Sequence, residues 1–137
     1  MARILAIDYG RRRTGLAVSD PLQLIAGALA TVETKELERW LADYFRREEV
    51  STIVLGKPMQ MNGRPSETWR YIEPLAGRLR HAYPDKEVVF YDERFTSVLA
   101  HRAMIDGGMK RSDRRDKAVV DKIAATIILE DFLQYRR

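Results

Sequence analysis

The spacing of apolar residues along this chain restricts it to a mixed β-sheet covered by helices. A short apolar run at residues 3–7 predicts a strand buried on both faces. Alternating patterns at 14–20 and 27–33 predict two half-buried strands. Because the connections between these segments are short, we expect the first three strands to form an antiparallel meander.

Helical patterns follow the meander and alternate with further strands. Apolar residues at helical spacing predict an amphipathic helix over about 35–49, with Thr34 as its N-cap. A second helical pattern runs from Trp69 to Tyr83 and contains Pro74, where the helix should kink or begin. The remaining predicted elements are strands at 51–56 and 87–91, a short helix from Thr96 to Gly107, and a closing helix at 117–135. The order predicts an α/β fold whose last two strands join the sheet in parallel.

Length and composition narrow the class of protein. A chain of 137 residues, 45% hydrophobic and 32% charged, is expected to form a single domain over 1–137. It has no cysteine, so disulfides, thiolate zinc sites and a cysteine nucleophile are excluded, and His81 and His101 are its only imidazoles. No apolar run approaches the ~20 residues that span a bilayer, and no secretory signal is evident. We therefore expect a cytoplasmic protein that does not enter a membrane.

Basic residues are concentrated in two glycine-containing segments. The net charge is +4, and one cluster comprises Arg11, Arg12 and Arg13, while the segment "GGMKRSDRRDK" at 107–117 carries five basic and two acidic residues. Either cluster alone is explained equally well as solvated surface. The presence of two favours contacts with phosphate groups.

The segment "ILAIDYGRRRTGLAVSD" at 4–20 places Asp8 at the end of an apolar run, before Gly10 and Gly15. A P-loop would require a lysine followed by serine or threonine, and then a helix, but Gly15 is followed by a predicted strand. The segment instead predicts a hairpin with Asp8 at its mouth and arginines at its tip. It resembles the phosphate-binding hairpin of actin-like and sugar-kinase ATPases, which however need two domains to enclose a nucleotide.

Two further groups of acids accompany Asp8. The strand at 87–91 runs into the acids of "DER" at 92–94, and Asp121 lies on the apolar face of the closing helix. Individually, Asp8 and Asp92 could serve in strand-end turns, and Asp121 could complement the helix dipole. Together, three converging carboxylates without Cys or His favour a hard Mg²⁺ or Mn²⁺ site.

Four segments, in their order and spacing, make the chain resemble the YqgF family of RuvC-like proteins over residues 3–135. They are "LAIDYGRRRTGLAVSD", "VLGKPMQMNG", "FYDERFTSVLA" and "VVDKIAATIILE". The family is described as Holliday-junction resolvases and as pre-16S rRNA processing nucleases. The resemblance implies an RNase H-like fold, with a sheet in the order 3-2-1-4-5 and helices on both faces. Lys57 stands where family members often have leucine, which adds a basic group near the site.

The resemblance also implies a site and a reaction. It makes Asp8, Glu93 and Asp121 the catalytic acids and ligands of Mg²⁺ or Mn²⁺, with Asp92 a further candidate ligand. Two such ions about 4 Å apart would support in-line hydrolysis of a phosphodiester. Basic side chains would contact nucleic-acid phosphates without reading sequence; they are Arg11, Arg12, Arg13, Lys57, Lys110, Arg111, Arg114, Arg115 and Lys117.

The expected function is 5′ processing of pre-16S rRNA during ribosome biogenesis by a metal-dependent nuclease. Two alternatives stay open: a Holliday-junction resolvase acting on branched DNA, and a non-catalytic nucleic-acid-binding module of the same fold. The presence of Asp8, Glu93 and Asp121 counts against the binding module, which would not need these acids. Because backbone contacts dominate, RNA and DNA are not distinguished as partners. A monomer suffices for rRNA trimming, whereas cutting both strands of a junction requires a homodimer.

Overall fold

The computed structural model describes residues 2–59, 62–92 and 117–136, which form one sheet and three helices. The strands are β1 (Arg3–Asp8), β2 (Arg13–Ser19), β3 (Ala26–Glu33), β4 (Val50–Lys57) and β5 (Glu87–Asp92). The helices are α1 (Leu37–Arg47), α2 (Trp69–Ala82) and α3 (Lys117–Arg136), and a 3₁₀ turn spans Thr34–Glu36. None of the described helices combines the length and the apolar character needed to cross a bilayer. The short helix predicted from Thr96 to Gly107 lies outside the described residues.

The strands form a mixed sheet in the order β3-β2-β1-β4-β5, which confirms the predicted fold class. β1 pairs antiparallel with β2, and β2 pairs antiparallel with β3. β4 joins parallel to β1, and β5 joins parallel to β4. The carboxyl ends of β1, β4 and β5 therefore share one edge of the sheet with the beginning of β2.

Helices cover both faces of the sheet, which explains why β1 is apolar along its whole length. Leu5 and Ile7 belong to a core that includes residues of α1 and α2. Ile4 and Ala6 belong to a second core, formed with α3. Since successive side chains of a strand point to opposite faces, β1 must be apolar at every position that the two cores cover.

The prediction that the second strand is half-buried was wrong. Thr14, Gly15, Leu16 and Ala17 of β2 are all buried, because α3 packs on the face that carries Gly15 and Ala17. Small residues on that face let the helix approach closely. In the sequence they resembled the solvent side of an alternating strand.

The prediction that Thr34 is the N-cap of α1 was also wrong. α1 begins at Leu37, after the 3₁₀ turn, and neither Glu33 nor Glu36 makes a side-chain capping hydrogen bond. The hydroxyl of Thr34 is engaged elsewhere, with the β1–β2 hairpin. The preference of threonine for positions before a helix was therefore a misleading signal here.

Pro74 lies inside α2, which begins five residues earlier, at Trp69. Proline lacks the amide that would donate to the carbonyl four residues back, here that of Arg70. The helix continues past it to Ala82 and buries Ile72, Leu75 and Leu79 against the sheet.

Candidate active site

Asp8 is the last residue of β1, and its side chain belongs to the face of the sheet covered by α3. Strand alternation places it on the side of Ile4 and Ala6, both of which pack in the α3 core. Across the hairpin its pairing partner is Gly15 of β2. Directly opposed residues of an antiparallel pair project from the same face, so Asp8 and the α-carbon of Gly15 both face α3.

Asp121, in the second turn of α3, lies directly against Gly15. A β-carbon at position 15 would stand 2.1 Å from the carbonyl oxygen of Asp121 and 3.0 Å from its β-carbon. The backbones of β2 and α3 therefore approach as closely as glycine allows. Because Gly15 is paired with Asp8, this approach brings the two predicted acids to neighbouring positions at the end of the sheet.

Arg13 supplies a positive charge to the acidic pair. Its Nε is 3.4 Å from Oδ2 of Asp121, and the side chains are 38% and 24% exposed, respectively. Arg13 is on β2 two residues before Gly15, so alternation directs it to the same face.

Asp92 is placed differently from Asp8 and Asp121. It ends β5 in register with Lys57 of β4. It comes two residues after Phe90, which packs in the core of α1 and α2. Strand alternation thus places Asp92 on the opposite face of the sheet from Asp8.

Glu93, the third predicted catalytic acid, lies outside the described residues. Within residues 2–59, 62–92 and 117–136, no three His, Asp or Glu side chains are grouped closely enough to hold a metal ion. Asp8 and Asp121 nevertheless provide the oxygen donors that Mg²⁺ and Mn²⁺ prefer, at a strand end where one further carboxylate would complete a cluster. The described part of the donor set thus fits such an ion.

The turn that carries the three arginines is held in place by Thr34. Its amide donates to the carbonyl oxygen of Arg12 over 2.9 Å, and its hydroxyl donates to that of Gly10. Because that hydroxyl proton is used, the fully buried hydroxyl of Thr14 must donate to Oγ1 of Thr34, 2.8 Å away. Gly10 itself is required, since a β-carbon there would stand 2.3 Å from the carbonyl oxygen of Arg13.

A basic depression of about 480 Å³ opens at this turn. Four of its five lining residues are cationic: Arg11, Arg12, Arg13 and Lys35, beside Glu33. Lys35 was not among the predicted phosphate contacts. The pairing of Glu33 with Arg13 brings the residues that follow β3, including Lys35, to the hairpin. Lys35 could be found only from the register of β3 against β2, which the sequence does not specify.

Two predicted phosphate contacts, one of which also lines the depression, lie against aromatic rings of α2. The guanidinium of Arg11 lies 5.0 Å from the ring centre of Tyr71. The ammonium of Lys57 lies 4.7 Å from that of Trp69. Lys110, Arg111, Arg114 and Arg115 are outside the described residues, and Lys117 is the first residue of α3.

Comparisons with known proteins agree with this architecture. A protein of Thermus thermophilus, solved as "RuvC in complex with Holliday junction substrate", superposes with a TM-score of 0.57. The match covers 98% of this chain and 96% of that one at 18% sequence identity. A second structure of Thermus thermophilus RuvC gives a TM-score of 0.55 at 17% identity, covering the same shares. These two likenesses establish the RuvC-like, RNase H-like fold.

Relatives of much higher identity cover nearly the whole chain. A protein of Phocaeicola vulgatus, named "Putative pre-16S rRNA nuclease", is 53% identical over 137 residues, covering 100% of this chain and 99% of its own. Proteins of the same name from Bacteroides thetaiotaomicron and Porphyromonas gingivalis are 53% and 51% identical, covering 100% and 97% of this chain and 99% and 96% of their own. A family model described as "RuvX: Holliday junction resolvase" matches residues 2–135. This chain therefore belongs to the RuvX family, which confirms its resemblance to YqgF proteins.

Proposed function

We propose that this chain is a metal-dependent nuclease that hydrolyses phosphodiester bonds in precursor 16S rRNA. The observation that carries the proposal is the packing of Asp121 on Gly15, the pairing partner of Asp8. This contact between backbones beside Asp8 supports a shared site for the carboxylates of Asp8 and Asp121. Family membership and the names of the relatives supply the class of reaction and the substrate.

In this proposal Asp8, Asp121 and Glu93 hold Mg²⁺ or Mn²⁺. When bound, such an ion supplies Lewis-acid activation of water and neutralises charge on the scissile phosphate. Asp8 and Asp121 accept the ion through carboxylate oxygens, and the β1 and α3 backbones keep the two groups together. Asp92 is the weakest of the candidate ligands, because alternation places it on the other face of the sheet.

The basic residues bind and orient the substrate in this proposal. Arg11, Arg12 and Lys35 surround the depression next to the acids, and Lys57 adds a charge on the α2 side. Further cations come from the segment 110–116, outside the described residues, and from Lys117 at the start of α3. Contacts of this kind neutralise phosphates irrespective of sequence. In this proposal the protein acts in the cytoplasm, where ribosomes assemble.

Cleavage of four-way DNA junctions is the second candidate, favoured by the description of the family model. The two functions require different oligomeric states. A symmetric cut of a junction needs two active sites and therefore a dimer, whereas trimming of an RNA end needs one site.

The test incubates the purified protein with Mn²⁺ or Mg²⁺ and either labelled pre-16S RNA or a labelled four-way junction. We expect cleavage of the RNA by the wild type and by Asp43→Asn, a charge-matched control on the exposed face of α1. Asp8→Asn should abolish cleavage. It should leave the free energy of unfolding equal or higher, because it removes one of two neighbouring like charges.

Three outcomes contradict parts of the proposal. Cleavage of the junction alone would mean that the substrate is branched DNA and not precursor rRNA. Equal cleavage by the wild type and Asp8→Asn across a Mn²⁺ titration would mean that Asp8 is not a catalytic residue. Binding of either nucleic acid without cleavage under all conditions would favour the non-catalytic binding module.

A further inference from the structure

Arg13 belongs to both parts of the candidate active site. Its Nε lies 3.4 Å from Oδ2 of Asp121, and the same residue lines the basic depression together with Arg11, Arg12 and Lys35. The ion pair is neither deeply buried nor fully solvated, since 38% of the Arg13 side chain and 24% of the Asp121 side chain are exposed. The guanidinium of Arg13 is therefore accessible to a second partner.

The guanidinium and a divalent cation are attracted by the same carboxylate. Without metal, Arg13 offsets the repulsion between the neighbouring Asp8 and Asp121. When a divalent cation binds these acids, their negative charge is neutralised and the guanidinium meets a positive charge instead. The two cations therefore compete for Asp121.

We propose that Arg13 is a built-in counter-cation of the acidic pair, which holds Asp121 in the metal-free protein and is displaced when a divalent cation binds. This inference rests on the proposed metal-dependent function and makes Arg13 a positioning residue. Displacement leaves the guanidinium beside the depression, where a substrate phosphate is its natural partner. Metal binding and phosphate binding are then coupled through one side chain, and the coupling acts in both directions.

The first experiment measures the dissociation constant of Mn²⁺ by calorimetry in the absence of nucleic acid. The wild type is compared with Arg13→Gln and with Arg12→Gln, which removes an adjacent charge from the same depression. Arg13→Gln should bind Mn²⁺ about twofold to fivefold more tightly than Arg12→Gln, the range expected for loss of a partly exposed competing ion pair.

The second experiment measures thermal unfolding of the same three proteins, once with EDTA and once with saturating Mn²⁺. Arg13→Gln should unfold at a lower temperature than the wild type in EDTA, where the ion pair exists. With Mn²⁺ the difference should disappear. An arginine that merely stabilises the fold would produce the same loss in both conditions.

The outcomes separate failure of this inference from failure of the proposed function. If the wild type binds Mn²⁺ and Asp8→Asn does not, but Arg13→Gln and Arg12→Gln bind it equally, only the competition by Arg13 is overturned. Weaker binding by Arg13→Gln would mean that Arg13 orients Asp121 for the metal, which also overturns it. If the folded wild type binds no Mn²⁺ at all, the proposed function fails and this inference fails with it.

Discussion

Gly15 determines how near α3 comes to the sheet, and hence how near Asp121 comes to Asp8. A methyl group at this position would collide with the backbone of Asp121 at 2.1 and 2.4 Å. Backbone atoms within a helix cannot give way as a flexible side chain does. A single side-chain atom at position 15 must therefore lift the helix from β2.

We predict that Gly15→Ala lowers the free energy of unfolding by about 2–3 kcal/mol, the cost typical of overpacking. It should also abolish nuclease activity, because the acids separate. Urea unfolding and the cleavage assay measure the two effects.

Gly77→Ala is the matched control for this substitution. Gly77 lies in α2 with nothing within 4 Å of the added methyl group, so the change should raise stability by about 0.5–1 kcal/mol and preserve activity. Equal stability of Gly15→Ala and the wild type would show that α3 does not press on β2 as described.

Asp20 organises the loop between β2 and β3 through its carboxylate. The group accepts hydrogen bonds from the amides of Leu22, Leu24 and Ile25, which accommodates the positive φ of 60° at Gln23. The amide of Ile25 is the main cause that lowers the pKa of Asp20 below its ordinary value of 3.8. The folded protein therefore releases this proton more readily than the unfolded chain does.

The pH dependence of stability follows from the direction of this shift. The stabilisation by the Asp20 carboxylate is present above pH 3.8 and is lost as the pH falls through the lower pKa of the folded state. We predict that the wild type is more stable than Asp20→Asn at neutral pH and that this difference shrinks in acid. Chemical unfolding of both proteins between about pH 7 and about pH 2.5 measures it. A difference that stays constant over that range would contradict the assignment.

The β1–β2 hairpin and the start of the 3₁₀ turn act as one element, because Thr34 binds both strands of the turn. Through its amide and hydroxyl it contacts Arg12, Gly10 and Thr14. The tip therefore presents Arg11, Arg12 and Arg13 from a fixed backbone. This arrangement connects a residue after β3 to the site at the end of β1.

We predict that Thr34→Val lowers the free energy of unfolding by about 1–3 kcal/mol, since it leaves the buried hydroxyl of Thr14 without its acceptor. Amide hydrogen exchange at 13–15 should accelerate as the hairpin loosens. Thr34→Ser retains the hydroxyl and should behave nearly as the wild type. A loss in Thr34→Ser with none in Thr34→Val, which keeps the methyl group and lacks the hydroxyl, would mean that packing of the methyl group, and not the hydroxyl, supports the hairpin.

At the scale of the whole molecule, the two faces of the sheet are covered by side chains of different size. α1 and α2 cover one face with large apolar side chains, among them Leu41, Leu75 and Leu79. α3 covers the other with small residues near the site, Ala124 and Ala125, followed by Ile128 and Leu129. The cationic depression is lined by the tip of the β1–β2 hairpin and by residues at the end of β3 and just after it, so in the proposed function a nucleic acid approaches the acids without disturbing either core.

The depression should contribute an electrostatic component to nucleic-acid binding. We predict that replacing Arg12 and Lys35 with glutamine reduces the slope of log affinity against log salt by about 1.4–1.8, because two phosphate contacts are lost. Fluorescence anisotropy with labelled RNA at several salt concentrations measures this slope.

The control for this experiment removes the same charge elsewhere. Arg39 and Arg46 are exposed on α1, and their double replacement by glutamine should leave the slope nearly unchanged. If both double variants changed the slope equally, net charge and not the depression would govern binding. A loss confined to one RNA sequence would indicate readout of bases or shape.

The amino-acid sequence by itself determined the types and order of the described elements, because the periods of two and 3.6 residues are local properties of strand and helix. It also identified Asp8 at the end of β1 and Asp121 on the packed face of α3, since a carboxylate on an apolar face stands out without knowledge of its neighbours. The sheet order was available only through family resemblance, because local periodicity does not specify which strands pair.

Only the tertiary structure decided how these parts meet. The burial of β2 depends on α3, which comes about 100 residues later in the chain, and the position of Lys35 beside the hairpin depends on the register of β3 against β2. Likewise, Thr34 is a residue type that often caps helices, but its hydroxyl donates a hydrogen bond to a turn that is distant in sequence. The face occupied by Asp92 follows from where β5 pairs with β4. Each of these features is a contact between segments far apart in the chain, and such contacts leave no periodic signal in either segment alone.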